Sequence, residues 1–107
     1  MISVIEDAKS VKQCIEIATC DAYDDYEIIA GWHSCFEEVF EDNNGVRVFG
    51  EEVSLVGFEI SGTTLFAVCT DGDDEEHIAV ESLKLIKPTK SQRLWLRAWL
   101  KWSGFEY

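Results

Sequence analysis

The residues of this 107-residue chain best equipped for chemistry are carboxylates, gathered in Asp21-x-x-Asp24-Asp25-x-Glu27 and in Asp71-Gly72-Asp73-Asp74-Glu75-Glu76. Carboxylate oxygens suit a hard cation such as calcium, or a basic protein surface. The second run lacks the glycine at loop position six and the spaced ligand series of an EF-hand, so it reads as a solvated hairpin tip. The first reads as an acidic helix start or docking face, and no metal site is assigned to either. His33 and His77 are the only imidazoles, and Cys35 lies two residues from His33. That spacing puts both on one side of a strand but is poor within a helix, and no orienting partner or oxyanion motif accompanies it. Gly45, Gly50, Gly57, Gly62 and Gly72 fit turns and corners rather than a phosphate loop. No catalytic residue and no cofactor is assigned, and the chain reads as no enzyme.

The elements that must position these groups follow from periodicity. Ser3-Val4-Ile5-Glu6 fits a capping box, and apolar Val4, Ile5, Ala8, Val11, Ile15 and Ala18 then recur at helical spacing to about Thr19. Asp21 or Asp24 caps a second helix carrying Ile28, Ile29 and Trp32. Its end stays open between His33 and Phe40, because residues 34–42 fit a helix or an irregular strand. From Asn43-Asn44-Gly45 onward the pattern is β: Val46–Phe49, a break at Gly50-Glu51-Glu52, then Val53–Ile60 with a phase slip at Val56-Gly57 that predicts a bulge. Thr64–Cys69, His77–Val80 and a short stretch at Leu83–Ile86 follow. Thr89-Lys90-Ser91-Gln92 is a second capping box, and Gly104 stands where a helix C-cap belongs. The prediction is one α+β domain: residues 1–40 mainly helical, a 43–87 meander forming a small SH3- or Sm-like antiparallel β-barrel, and an amphipathic helix at 89–103.

Charge is divided unevenly along this chain. Residues 1–83 hold 20 Asp and Glu against 3 Lys and Arg, a net −17, whereas residues 84–107 hold 6 basic residues against Glu106, a net +5. The acidic body opposes nucleic acid and anionic lipid and favours a basic partner. The C-terminal stripe of Leu94, Trp95, Ala98, Trp99 and Trp102 is flanked by Arg93, Arg97 and Lys101. It is expected to cover the barrel's open end while its cations pair with the acidic body; if it completes a neighbouring subunit instead, the protein is a homodimer. The N-terminus has no basic n-region or long apolar run, which points to the cytoplasm. In that reducing compartment Cys14, Cys20, Cys35 and Cys69 read as free thiols, without zinc spacing.

Residues 20–88 resemble the Rof family of small bacterial inhibitors of the transcription terminator Rho. The resemblance rests on Cys20-Asp21-x-Tyr23-Asp24-x-x-Glu27 with Ala30, on Leu65-x-x-Val68, on the Asp71-Gly72 hairpin and on Leu83 to Pro88. It implies an Sm-like barrel preceded by a helix, and an acidic surface that occupies Rho's RNA-binding region with Asp21, Tyr23, Asp24 and Glu27 in contact. Residues and resemblance together lead to a noncatalytic, acidic protein-binding module. Asp21, Tyr23, Asp24, Asp25 and Glu27 would meet a basic, nucleic-acid-binding partner, with no direct contact to nucleic acid or membrane. The alternative is a small-ligand protein of mobile-element type, with an apolar pocket between barrel and helices near Trp32, Trp95, Trp99 and Trp102.

Overall fold

The computed structural model describes residues 5, 8–20, 22–41, 45–48, 50–62, 64–72 and 74–104. In chain order these form helices α1 (Val11–Ala18) and α2 (Asp25–Val39), strands β1 (Gly45–Val48), β2 (Glu51–Ser61), β3 (Thr64–Thr70) and β4 (Glu75–Ala79), a 3-10 turn at Val80–Ser82, strand β5 (Lys84–Leu85) and helix α3 (Lys90–Ser103). All strand pairings are antiparallel, in the order β4-β3-β2-β1-β5. This is the α+β arrangement the sequence predicts, with the return of β5 to β1 giving the strand order of a small SH3-like barrel. Among the described residues no helix is long and apolar enough to cross a membrane.

Strand β2 serves both halves of the sheet, pairing Glu51–Ser54 with β1 and Ser54–Ser61 with β3. The register shifts between Leu55 and Gly57, where the sequence pattern slips. The extra residue rotates the strand so that Leu55 and Phe58 both face the core while Val56 is 58% exposed. Two α2 side chains fasten the strand there. Glu37 Oε1 accepts from Phe58 N at 2.7 Å, and His33 Nε2 lies 2.9 Å from Phe58 O. Glu37→Ala strands this half-buried N–H and is expected to cost about 1–3 kcal/mol; urea denaturation of the variant measures it.

Two expectations are corrected and one open alternative is resolved. Helix α1 begins at Val11, because Ser10 accepts from Gln13 N and Gln13 Oε1 accepts from Lys9 N, which closes the helix start there. The capping box at Ser3–Glu6 and the turn residues Asn43 and Asn44 lie outside the described residues. Glu51 and Glu52 belong to β2, since they pair with Val48 and Arg47 of β1 and follow directly on Gly50, whose φ is +84°. Finally, residues 34–39, left open between helix and strand, continue α2. Ile29, Trp32, Cys35, Phe36 and Val39 recur on its buried face, and a strand would have put every second one of these side chains in solvent.

Helix α3 matches its predicted ends. Thr89 and Gln92 form the reciprocal capping box, and Gly104 closes the helix at φ +92°. Its apolar stripe completes the core, where Trp95, Ala98 and Trp99 are all 2% exposed or less. Trp95 Nε1 donates to Ile5 O at 2.9 Å, and Gln92 Nε2 to Val39 O at 3.2 Å.

Candidate functional site

The start of α2 is an exposed acidic corner. Asp24 is the N-cap, in extended conformation, and its Oδ1 accepts from Glu27 N at 2.8 Å. Asp25 and Glu27 occupy the first turn, where negative charge meets the positive end of the helix dipole. Tyr23 and Tyr26 stand beside them, 84% and 69% exposed. Four of the five predicted contact residues therefore share one surface, and Asp21 lies outside the described residues.

A second acidic surface forms at one end of the barrel, and only part of it is contiguous in sequence. Strand register brings β4 beside the end of β3, pairing Cys69 with Glu76 and Thr70 with Glu75, while Ser54 of β2 pairs with Thr70. Glu51 at the start of β2 thereby joins Asp71, Asp74 and Glu76 around a hollow of about 80 Å³. Glu52 lines an adjoining shallow hollow with Thr70 and Asp71. The hairpin tip is ordered locally: Asp71 Oδ1 accepts from Asp74 N at 3.3 Å, and Thr70 Oγ1 from Gly72 N at 3.1 Å. Asp73 lies outside the described residues. Among those described, no Lys or Arg forms an ion pair with Glu51, Glu52, Asp74 or Glu76; the ion pairs are His33–Glu37 and His77–Glu59.

The donors in this hollow are oxygens. Its one sulfur, Cys69, is buried, and burial raises its thiol pKa, with the nearby charge of Glu76 adding to the effect. Such a thiol stays protonated and is no ligand at neutral pH. Carboxylates and a hydroxyl suit calcium better than zinc. Among the described residues no group of three or more Asp, Glu, His or Cys side chains could by itself hold a metal ion as placed. An ion at this end would need the carboxylates to close in on it.

Most of the remaining predicted residues are buried. His33 and Cys35 form no catalytic pair: His33 faces Phe58 O and Glu37, whereas Cys35 is buried and its thiol is pushed up to about 12, chiefly by burial. Trp32 is the hub of an aromatic cluster, its ring 5.9 Å from Trp95, 5.5 Å from Trp99 and 5.4 Å from Trp102. Trp32, Trp95 and Trp99 are fully packed, and Trp102 sits at the rim, 38% exposed. No tryptophan lines the hollows at the barrel end or the groove between residues 8–9 and α3.

The cations of α3 also depart from expectation. Arg93, Arg97 and Lys101 are exposed and make no ion pair with the acidic body among the described residues. They lie on the exposed side of the helix, away from the buried stripe of Trp95, Ala98 and Trp99. Packing, with the hydrogen bonds donated by Gln92, Trp95 and Trp99, holds the helix.

No family model matches the sequence, and no curated protein matches it significantly. Two solved structures share the fold. The chain is similar to Anabaena CcbP, with a TM-score of 0.69 and 16% identity over 82% of this chain and 85% of that one. It is similar also to a calcium-binding protein in its calcium-binding form, with a TM-score of 0.71 and 16% identity over 97% of both chains. Glu51 and Glu52 are what sequence reading missed at the acidic end. The signal that could have found them is the apolar phase of Val53 and Leu55, which extends the strand back to them.

Proposed function

We propose that this chain is a noncatalytic binding protein that takes calcium at the acidic end of its barrel, through Glu51, Asp71, Asp74 and Glu76, with Glu52 beside them. The observation that carries this reading is the gathering of carboxylates from two hairpins around one hollow. Support comes from the end-to-end likeness to a protein named for calcium binding. The ion would supply positive charge where the carboxylates crowd, and binding would tighten β2 against the β3–β4 turn. Because the carboxylates must be drawn together, the affinity belongs in the range of about 10⁻⁴–10⁻³ M found for weak calcium modules. Magnesium, which demands near-ideal octahedral geometry, should bind more weakly.

Titration calorimetry with calcium chloride at fixed ionic strength tests this. Saturable binding is expected, together with a stabilisation of about 2.7 kcal/mol at a hundredfold excess over Kd. Asp71→Asn with Asp74→Asn should remove both, and Asp24→Asn with Asp25→Asn should leave both in place. Equal heats from calcium and magnesium, unchanged by the hairpin variant, would sink the reading.

A second reading is favoured by the exposure of Tyr23 and Tyr26 next to Asp24, Asp25 and Glu27. Aromatic side chains ringed by acids suit docking onto a basic protein surface, of which Rho's RNA-binding region is the instance suggested by the resemblance to Rof. Binding to immobilised Rho that weakens with salt and vanishes on charge reversal of Asp24 and Asp25 would support it; absence of binding would remove it.

A further inference from the structure

One hollow of the molecule is basic, on a chain whose net charge is −12. It is an open groove of about 680 Å³ between residues 8–9 and α3, and Lys9, Lys90, Arg93 and Arg97 line it together with Leu94 and Ser91. Lys90, Arg93 and Arg97 are spaced three and four residues apart, so they form one stripe along the helix. Lys9, from the segment before α1, lines the same groove.

Nothing among the described residues neutralises this group. Helix α3 contains no Asp or Glu, so no carboxylate stands one turn away to pair with its cations. None of the four side chains makes an ion pair among the described residues, although the chain holds 21 acidic residues. Like charges at these spacings are mildly destabilising unless an anion lies between them. At the helix start Thr89 already caps Gln92 N, so the side chains carry the site.

We infer that this groove is a binding site for a small molecule bearing two or more phosphates. Four cations match the charge of a di- or triphosphate. Two arginines one turn apart offer planar forks that grip phosphate oxygens in pairs, while the lysines act as point charges. The volume falls within the range of small-ligand sites and exceeds what a single phosphate would fill. Leu94 gives the less charged part of such a ligand an apolar wall. A long nucleic acid is disfavoured, because its further phosphates would run over the acidic body.

The test is calorimetry of the full chain with sodium pyrophosphate, ATP, inorganic phosphate and a single-stranded oligonucleotide, all at one ionic strength. Pyrophosphate and ATP are expected to bind saturably with one site per chain, and inorganic phosphate more weakly. Arg93→Ala with Arg97→Ala, both exposed, should weaken binding by about tenfold or more. Lys101→Ala, outside the groove, should not. Circular dichroism and an unchanged calcium titration would show that the double variant remains folded and that the calcium reading stands or falls separately. Absence of saturable binding, equal binding by the double variant, or preference for the oligonucleotide overturns the proposal. So does salt-sensitive sedimentation as a dimer that the arginine variant abolishes, because the groove would then hold the acidic face of a second copy.

Discussion

Gly31→Ala is expected to lower the melting temperature by about 12 °C or more, at about 3 kcal/mol of overpacking and about 4–8 °C per kcal/mol. In an exposed helix interior the same change would stabilise by about 1 kcal/mol, since glycine is a poor helix former. Here α1 ends against α2, and a Cβ at Gly31 would stand 2.0 Å from Ala18 O. The obstacle is backbone, so relief requires the two helices to separate and opens the contact that buries Ala18. Gly57→Ala provides the contrast, because its Cβ would meet the Glu37 carboxylate at 3.3 Å and that side chain can shift. Thermal unfolding followed by circular dichroism decides the matter; a Gly31→Ala melting temperature at or above that of the parent would show that the helices do not pack this closely.

Trp99→Ala is expected to cost about 3–5 kcal/mol, a large share of the about 5–15 kcal/mol that holds a domain of this size. Trp99 is 2% exposed, with its ring 5.5 Å from Trp32, 6.2 Å from Phe36 and 5.6 Å from Trp102. Truncation removes one member from each of these pairs and leaves a cavity bounded by rings too rigid to fill it. Trp99→Phe keeps most of the volume but loses the 3.0 Å bond from Nε1 to Glu81, and should cost less. Trp102→Ala, at the rim, should cost about 1 kcal/mol. The urea midpoint should be lowest for Trp99→Ala, intermediate for Trp99→Phe and highest for Trp102→Ala. A Trp102→Ala variant as damaging as Trp99→Ala would relocate the centre of the core.

How far the fold could be read in advance depended on how local its causes are. The ends of α3 are set by Thr89, Gln92 and Gly104, and the bulge by a phase slip within β2. Both are properties of a few neighbouring residues. The start of α1 departs from the Ser3 cap that the sequence suggests, because Ser10 accepts from Gln13 N and closes the described helix there. Helix and strand were indistinguishable over residues 34–39 until Phe36 was seen packed edge-on against Trp32 and Phe58. The acidic corner at Asp24, Asp25 and Glu27 was legible for the same local reason. The barrel-end hollow and the basic groove were not, because each joins segments far apart in the chain. Glu51 meets Asp71 only through the β2–β3 register, and Lys9 meets Arg97 only once α3 has docked.

The hydrogen bond from Trp95 to Ile5 spans 90 residues, and α3 supplies three of the four tryptophans. Helix α3 leaves the ribosome after every element it packs upon. Until then the emerging chain has Trp32 and Phe36 without the α3 rings that cover them, the condition in which nascent proteins stick to one another. The segment already made at that moment carries nearly all of the negative charge. Mutual repulsion between such chains would keep them apart while they wait, so the acidity of the body would protect the unfinished chain from association.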